Sequence, residues 1–276
     1  MSNGPEIVDY LRYEPEDGAL WITFNRPEVL NALHGYIRPD STLNKLGEYL
    51  DAADADPDIR VIVITGEGRG FCSGADQRGG RDHPDEERPG GADGSRQFFS
   101  EIFTPLFRKI SSTRKPTIAM VNGVAVGAGL DIALHCDIRI GCPETRFFTY
   151  QNVGQLIHNG GMYYLPRMIG LGNALEFLYT GGFLVGEDAY RMGLLNHYVP
   201  LEDLRETTLE VCRKIIASPP LVQWIGKRIM RAGLDSSFDT TLQLSANASA
   251  ITGSSEDAQE ARAARSERRQ PMFRGR

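Results

Sequence analysis

Two segments of this 276-residue chain combine residues able to stabilise negative charge and to move a proton. The first is RGFCSGADQ, Arg69–Gln77; the second is NGVAVGAGLDIA, Asn122–Ala133. Gly74 permits backbone geometry that a side chain would obstruct. A helix opening at Ala75 and Asp76 would leave N–H groups unpaired and free to face an anionic oxygen. Asp76 suits an N-cap or first-turn position, where its charge is favourable, and reads as structural rather than as a general base. Gly127, Ala128 and Gly129 are small enough for a ligand to approach the backbone. Asp131 follows Ala128 by three positions, which puts the two on neighbouring faces of a helix start. Its carboxylate either meets the ligand touched by the Ala128 N–H or simply favours the positive helix end.

Other chemistries lack their signatures. Neither glycine turn is GxGxxG or GxxxxGK[ST], and the chain contains no HExxH and no GxSxG. His34, His83, His135, His158 and His197 form no local metal array, and no prosthetic group is expected. Cys72, Cys136, Cys142 and Cys212 form no CxxC pair, which fits reduced thiols and a cytoplasmic location. A net charge of -6 discourages general nucleic-acid binding, which needs a concentrated basic face. The acidic start MSNGPEIVDY does not read as a secretory signal, and no apolar run reaches bilayer length.

The elements that must carry these turns follow from patterning. Hydrophobic residues at 41% of 276 support one large domain. Val8–Tyr13 and Ala19–Phe24 read as a hairpin around the turn PEDG, and Pro27 ends the second strand. Asp40–Ala53 reads as a helix, Arg60–Thr65 as a buried strand, and Arg78–Gly94 as a surface loop. Phe98–Ile110 is expected to be helical, Lys115–Val121 and Ile138–Ile140 to be strands. Beyond Arg167 the spacing predicts helices over Leu171–Thr180, Glu187–Met192, Leu201–Ala217, Pro220–Ala232, Phe238–Ile251 and Glu256–Arg268. Repeated β-turn-α units favour an α/β fold with parallel strands covered by helices.

The order of several segments resembles the crotonase superfamily, the enoyl-CoA hydratase/isomerase family. The resemblance lies in NRPEVLNAL (Asn25–Leu33), VIVITGEGRGFCSGAD (Val61–Asp76), KPTIAMVNGVAVGAGLDIALHCDIRI (Lys115–Ile140), LPRMIG (Leu165–Gly170) and GLLNHYVP (Gly193–Pro200). It implies a crotonase-like spiral of ββα units over residues 1–200. It also implies a helical C-terminal trimerisation region over 201–276 within the same functional unit, and a homotrimer or a dimer of trimers. By motif match the N–H groups of Ala75 and Ala128 form an oxyanion hole for a thioester carbonyl. Donors placed there favour an enolate-like transition state over the substrate. The resemblance places CoA, the carrier portion of the substrate, along Arg26, Leu30, Ala32, Ser73, Ala75, Asp76 and Gln77. The cations Arg268, Arg269 and Arg274 of the tail are candidates to assist.

The acid/base positions depart from the family pattern. Asp131 stands where typical hydratases carry their first glutamate and reaches about one methylene less far. Tyr150 stands where the second glutamate occurs; with a reference pKa near about 10 it substitutes poorly for a carboxylate. His158 matches a position where certain dienoyl-CoA isomerases carry an acid, and histidine can serve as acid or base. Ile157 falls where the naphthoate synthase branch has its catalytic aspartate, which disfavours that reaction despite a similar RRQPMF segment. The expected activity is hydration or isomerisation of an unsaturated acyl-CoA, with Asp131 and His158 across the substrate and Tyr150 orienting water or a polar substituent. Two alternatives are a C–C bond hydrolase of a β-dicarbonyl substrate and a catalytically weak CoA-binding protein.

Overall fold

In the structure, a computed structural model, residues 5–35, 39–76, 90–151 and 154–276 are described. Ten strands occur among them: β1 Leu11–Glu16, β2 Ala19–Phe24, β3 Val61–Gly66, β4 Gly70–Cys72, β5 Thr117–Val121, β6 Val124–Val126, β7 Ile138–Gly141, β8 Arg146–Phe148, β9 Leu184–Val185 and β10 His197–Tyr198. The helices are α1 Thr42–Ala55, α2 Gly91–Phe98, α3 Thr104–Ser112, α4 Ala128–His135, α5 Gly161–Ile169, α6 Leu171–Thr180, α7 Gly186–Arg191, α8 Leu204–Ile216, α9 Pro220–Gly233, α10 Phe238–Gly253 and α11 Glu256–Glu267.

Successive strands divide between two sheets. One has the order β1-β2-β3-β5-β7-β10 and the other β4-β6-β8-β9. Strands β3, β5 and β7 are thus each followed by a short partner in the second sheet and then by a helix, the ββα spiral that the sequence order implies. Pairing from β2 through β10 in the first sheet is parallel, and the β1–β2 hairpin is antiparallel. Strands buried on both faces should be continuously apolar. Accordingly Leu20, Ile22, Ile62 and Ile64 enter one core with α1 and α4, while Trp21, Val61, Val63 and Ile118 enter a second beneath α8.

Several boundaries differ from the sequence reading. The first strand is Leu11–Glu16 rather than Val8–Tyr13, because only Asp17 and Gly18 make the turn. Both have positive φ, the conformation a two-residue hairpin turn needs. Pro15 is tolerated inside β1 because β1 is an edge strand. The short strands of the second sheet fell inside apparent turns. Helix α5 was missed because Gly160, Gly161 and Pro166 read as breakers, yet Pro166 sits inside it. Of the expected surface loop 78–94, residues 78–89 lie outside the described residues, and Gly91–Gly94 belong to α2. The tail cation Arg269 is consumed locally, pairing with Glu260 and Glu267.

Helix α4 is held at both ends. A Cβ on Gly129 would lie 2.0 Å from the carbonyl oxygen of Cys72, so only glycine lets the helix rest on β4. At the other end the buried Arg139 donates through Nε to Leu194 O at 2.7 Å and through Nη1 to Ala133 O at 3.3 Å and Cys136 O at 2.8 Å. Arg231 donates to His135 O at 2.9 Å and pairs with Asp137. The last carbonyls of α4 therefore face two cations, as a helix C-terminus favours. Replacing Arg139 with Met would strand those buried carbonyls. The expected cost is at least about 3 kcal/mol, read as a lower urea midpoint at unchanged slope.

Candidate active site

The two glycine turns meet. A Cβ on Gly74 would lie 2.5 Å from Val126 O and 3.3 Å from the Ala128 nitrogen. The strap Val29–Leu33 fixes the first turn: Ser73 N–H donates to Leu30 O at 2.9 Å, and Leu33 N–H donates to Gly74 O at 2.8 Å. Ala75 is consequently extended, in a parallel bridge with Leu33, and does not begin a helix. Ala75 itself therefore departs from the helix-start reading, while the residues that follow Asp76 lie outside the described residues. The second turn does begin one: Gly127, at φ 54°, precedes Ala128, the first residue of α4. Among the described residues, neither the Ala75 N–H nor the Ala128 N–H is given an intramolecular acceptor. Both residues line one cavity with Asp131, Tyr150 and His158.

Asp131 is 1% exposed. Its carboxylate is gripped from the loop before α5: Gly161 N–H donates to Oδ1 at 2.8 Å, and the Asn159 side chain donates to Oδ2 at 3.1 Å. The carboxyl thus engages another segment rather than its own helix start. Burial raises its pKa to about 7, against the lowering pull of the Asn159 and Gly161 hydrogen bonds. A carboxyl poised there exchanges protons at neutral pH in either direction.

His158 also lines the cavity. Its Nδ1 lies 3.0 Å from Leu156 O. A carbonyl only accepts, so Nδ1 carries the proton and Nε2 keeps a lone pair. Although the residue is exposed, its ring packs on Phe99 at 4.1 Å and Phe103 at 5.7 Å between centroids. Desolvation among those rings lowers its pKa, and the neutral form is favoured. His135, one turn below Asp131, donates from Nδ1 to Asp131 O at 2.8 Å; burial lowers its pKa to about 4.

Tyr150 spans the two turns. Its hydroxyl donates to Ser73 O at 2.9 Å, and its ring covers Gly127, where a Cβ would meet Cδ2 at 2.4 Å. The residue holds φ 64°, a left-handed conformation costly for a bulky side chain. Its hydroxyl proton is donated to the Ser73 carbonyl.

The residues expected along CoA form one bonded patch. Arg26 donates through Nη1 to Ala32 O at 2.8 Å and pairs through Nη2 with Asp76 at 3.2 Å. Leu30 and Ser73 are joined by their backbones as described, and Gln77 lies outside the described residues. The charge of Arg26 is therefore already matched by Asp76. Residues that sequence reasoning missed include Asn159 and Gly161, which hold the carboxylate, and the wall formed by Phe98, Phe99 and Phe103. The last had a signal, since Phe99 and Phe103 share a helical face; the lone Asn159 had none.

A two-sheet ββα spiral with backbone donors and a buried carboxyl on one cavity defines a class of enzymes that stabilise negative charge on a carbonyl oxygen. The chain matches the Enoyl-CoA hydratase/isomerase family over residues 14–276. It is 30% identical over 270 residues to 1,2-epoxyphenylacetyl-CoA isomerase of Escherichia coli, covering 98% of this chain and 100% of that one. It is 33% identical over 264 residues to (E)-benzylidenesuccinyl-CoA hydratase of Thauera aromatica, covering 95% and 98% respectively. Among solved structures, an enoyl-CoA hydratase from Bacillus anthracis superposes with a TM-score of 0.86 at 27% identity, over 97% of this chain and 100% of that one. The protein belongs to the crotonase superfamily, in its enoyl-CoA hydratase/isomerase family, and is an enzyme of hydratase/isomerase type acting on acyl-CoA thioesters. Among the described residues no group of three or more His, Cys, Asp or Glu is placed to share a metal ion, and no helix is long and apolar enough to cross a membrane.

The raised pKa of Asp131 has a thermodynamic signature. The folded state keeps a proton that the unfolded chain releases near pH 4, so ionising the folded carboxyl costs stability as pH rises from about 4 to about 7. Asp131→Asn removes that titration. The stability of the wild type relative to this variant should fall across that window and level off above it, as measured by urea unfolding at a series of pH values.

Proposed function

We propose that the enzyme shifts the double bond of an unsaturated acyl-CoA by moving one proton with Asp131. The thioester carbonyl oxygen sits between the N–H groups of Ala75 and Ala128. The Asp131 carboxylate takes the α-proton of a β,γ-enoyl thioester. The electrons of that C–H bond delocalise over the double bond and the carbonyl as a dienolate, whose oxygen the two N–H groups stabilise. Asp131 then returns the proton to the γ-carbon, giving the conjugated thioester. One carboxyl near its own pKa suffices for both transfers.

The observation that carries this reading is the composition of the cavity. Asp131 is the lone carboxyl lining it among the described residues. Hydration calls for a second group to position and activate water. Tyr150 occupies the second glutamate's place, but its hydroxyl proton is bonded to Ser73 O. The Nε2 lone pair of His158 supports a second reading, with two groups flanking the substrate. The patch from Arg26 to Asp76 is proposed to hold CoA, with the Ser73–Asp76 backbone as its inner edge.

Residues 201–276 are proposed as the assembly part of the same functional unit, forming a homotrimer or a dimer of trimers. Helix α10 has no buried residue, although it presents Phe238 at 76% and Leu242 at 51% exposure. Met230 of α9 is 79% exposed. Such a row on a single chain marks an interaction face. A cytoplasmic location fits the four buried free thiols.

Incubation with a β,γ-enoyl-CoA should produce the conjugated thioester, followed by absorbance and product chromatography. Asp131→Asn should lower kcat by roughly 10²–10⁴-fold, and wild-type kcat/KM should rise with pH up to about 7 as the base ionises. Preferential formation of a 3-hydroxyacyl thioester would overturn the isomerase assignment. A matching loss in His158→Gln would favour the two-group reading. Release of acid from a β-dicarbonyl compound lacking CoA would favour C–C hydrolysis. For assembly, Phe238→Glu combined with Leu242→Glu should reduce the solution mass to that of one chain by light scattering.

A further inference from the structure

The acyl end of this cavity has a specific chemistry. Phe98, Phe99 and Phe103 come from one continuous segment in which α2 passes through a π-helical turn, Phe99–Phe103, into α3. The turn is marked by Thr104 N–H donating to Phe99 O, five residues back. Such turns are uncommon and often occur at functional sites. Here the wider turn lets residues five apart meet. The Phe98 and Phe103 centroids are 5.8 Å apart at 61°, Phe98 and Phe99 are 5.6 Å apart at 73°, and Phe99 and Phe103 are 5.7 Å apart at 54°. His158 closes the group against Phe99 at 52° and Phe103 at 76°.

All four rings line the same cavity as Asp131, Ala75 and Ala128. None of the neighbouring pairs is coplanar; the ring planes meet at angles from 52° to 76°. That mixture offers an incoming ring both the face and the edge contacts that aromatic pairs prefer. A flexible alkyl chain gains only burial there and loses rotational freedom on entry. The phenylalanine side chains bring no polar atoms to the wall, where Gln155 and the His158 Nε2 are polar.

We infer that the acyl pocket selects thioesters bearing an aromatic ring close to the reacting carbons, with Phe99 and Phe103 as specificity-determining residues. The inference rests on the reading of this cavity as the acyl site and names the substrate class for it.

Saturated thioesters separate binding from turnover. Binding of 3-phenylpropanoyl-CoA, 3-cyclohexylpropanoyl-CoA and hexanoyl-CoA to the wild-type enzyme is compared by titration calorimetry, with free CoA as reference. The phenyl compound should bind about tenfold more tightly than either of the others, the gain expected from one or two ring pairs. Phe99→Leu, checked for folding by its thermal melt, should remove that preference while leaving free CoA affinity unchanged. Equal or weaker binding of the phenyl compound would overturn the inference, as would a preference that survives in Phe99→Leu. None of these ligands can isomerise, so failure of the double-bond-shift assignment leaves the binding order intact. If the cavity is not the acyl site, Phe99→Leu leaves all three affinities unchanged.

Discussion

Everything in this site depends on how closely α4 approaches the backbone of the second sheet. The helix begins at Ala128 and lies so near Cys72 that no side chain fits at position 129. That contact brings the start of the helix and the extended Ala75 to one cavity, the arrangement that the proposed oxyanion hole requires. Close packing of backbone on backbone is rigid in a way that long side chains are not. It costs little to maintain once Arg139 and Arg231 satisfy the far end of the helix. The position of these two N–H groups is set before any substrate arrives, the condition under which dipoles proposed to stabilise developing charge would do so efficiently.

The same burial that fixes the donors tunes the acid. Asp131 lies three residues along α4 and is almost wholly excluded from solvent. Desolvation disfavours its charge, and the Asn159 and Gly161 donors recover part of the loss. The balance leaves a group able both to accept and to give a proton near neutrality. His158 follows a different course. Its neutral ring, protonated on Nδ1 toward Leu156 O, belongs as much to the aromatic wall as to any acid/base pair.

Much of this was legible in the sequence because it depends on local pattern. The strands Ala19–Phe24, Val61–Gly66 and Thr117–Val121 are buried throughout and mostly apolar, and the spacing from Gly127 to Asp131 places a carboxyl one turn into a helix. Tertiary contacts governed what was missed. Strand β6 is only three residues long and sits inside what reads as a glycine turn. Ala75 itself is not helical, because the Val29–Leu33 strap draws it into a bridge with Leu33. Nothing local to Arg26 announces its partner: Asp76, 50 positions away, pairs with it. Tyr150 reads as a weakened acid, yet its geometry is that of a brace between the two turns.

The role proposed for the two alanines lies in main-chain atoms, and this bears on how the site can change over generations. A base lost to substitution is visible at once in a sequence. A peptide N–H survives almost any replacement of its own side chain, so drift at positions 75 and 128 leaves the donors in place. They are vulnerable only through their neighbours, at Gly74, Gly127 and Gly129, where any added carbon atom would push the turns apart. Damage to the frame would therefore be recorded at the glycines, whereas a change of acid or of cavity wall alters the reaction run on a frame that stays the same.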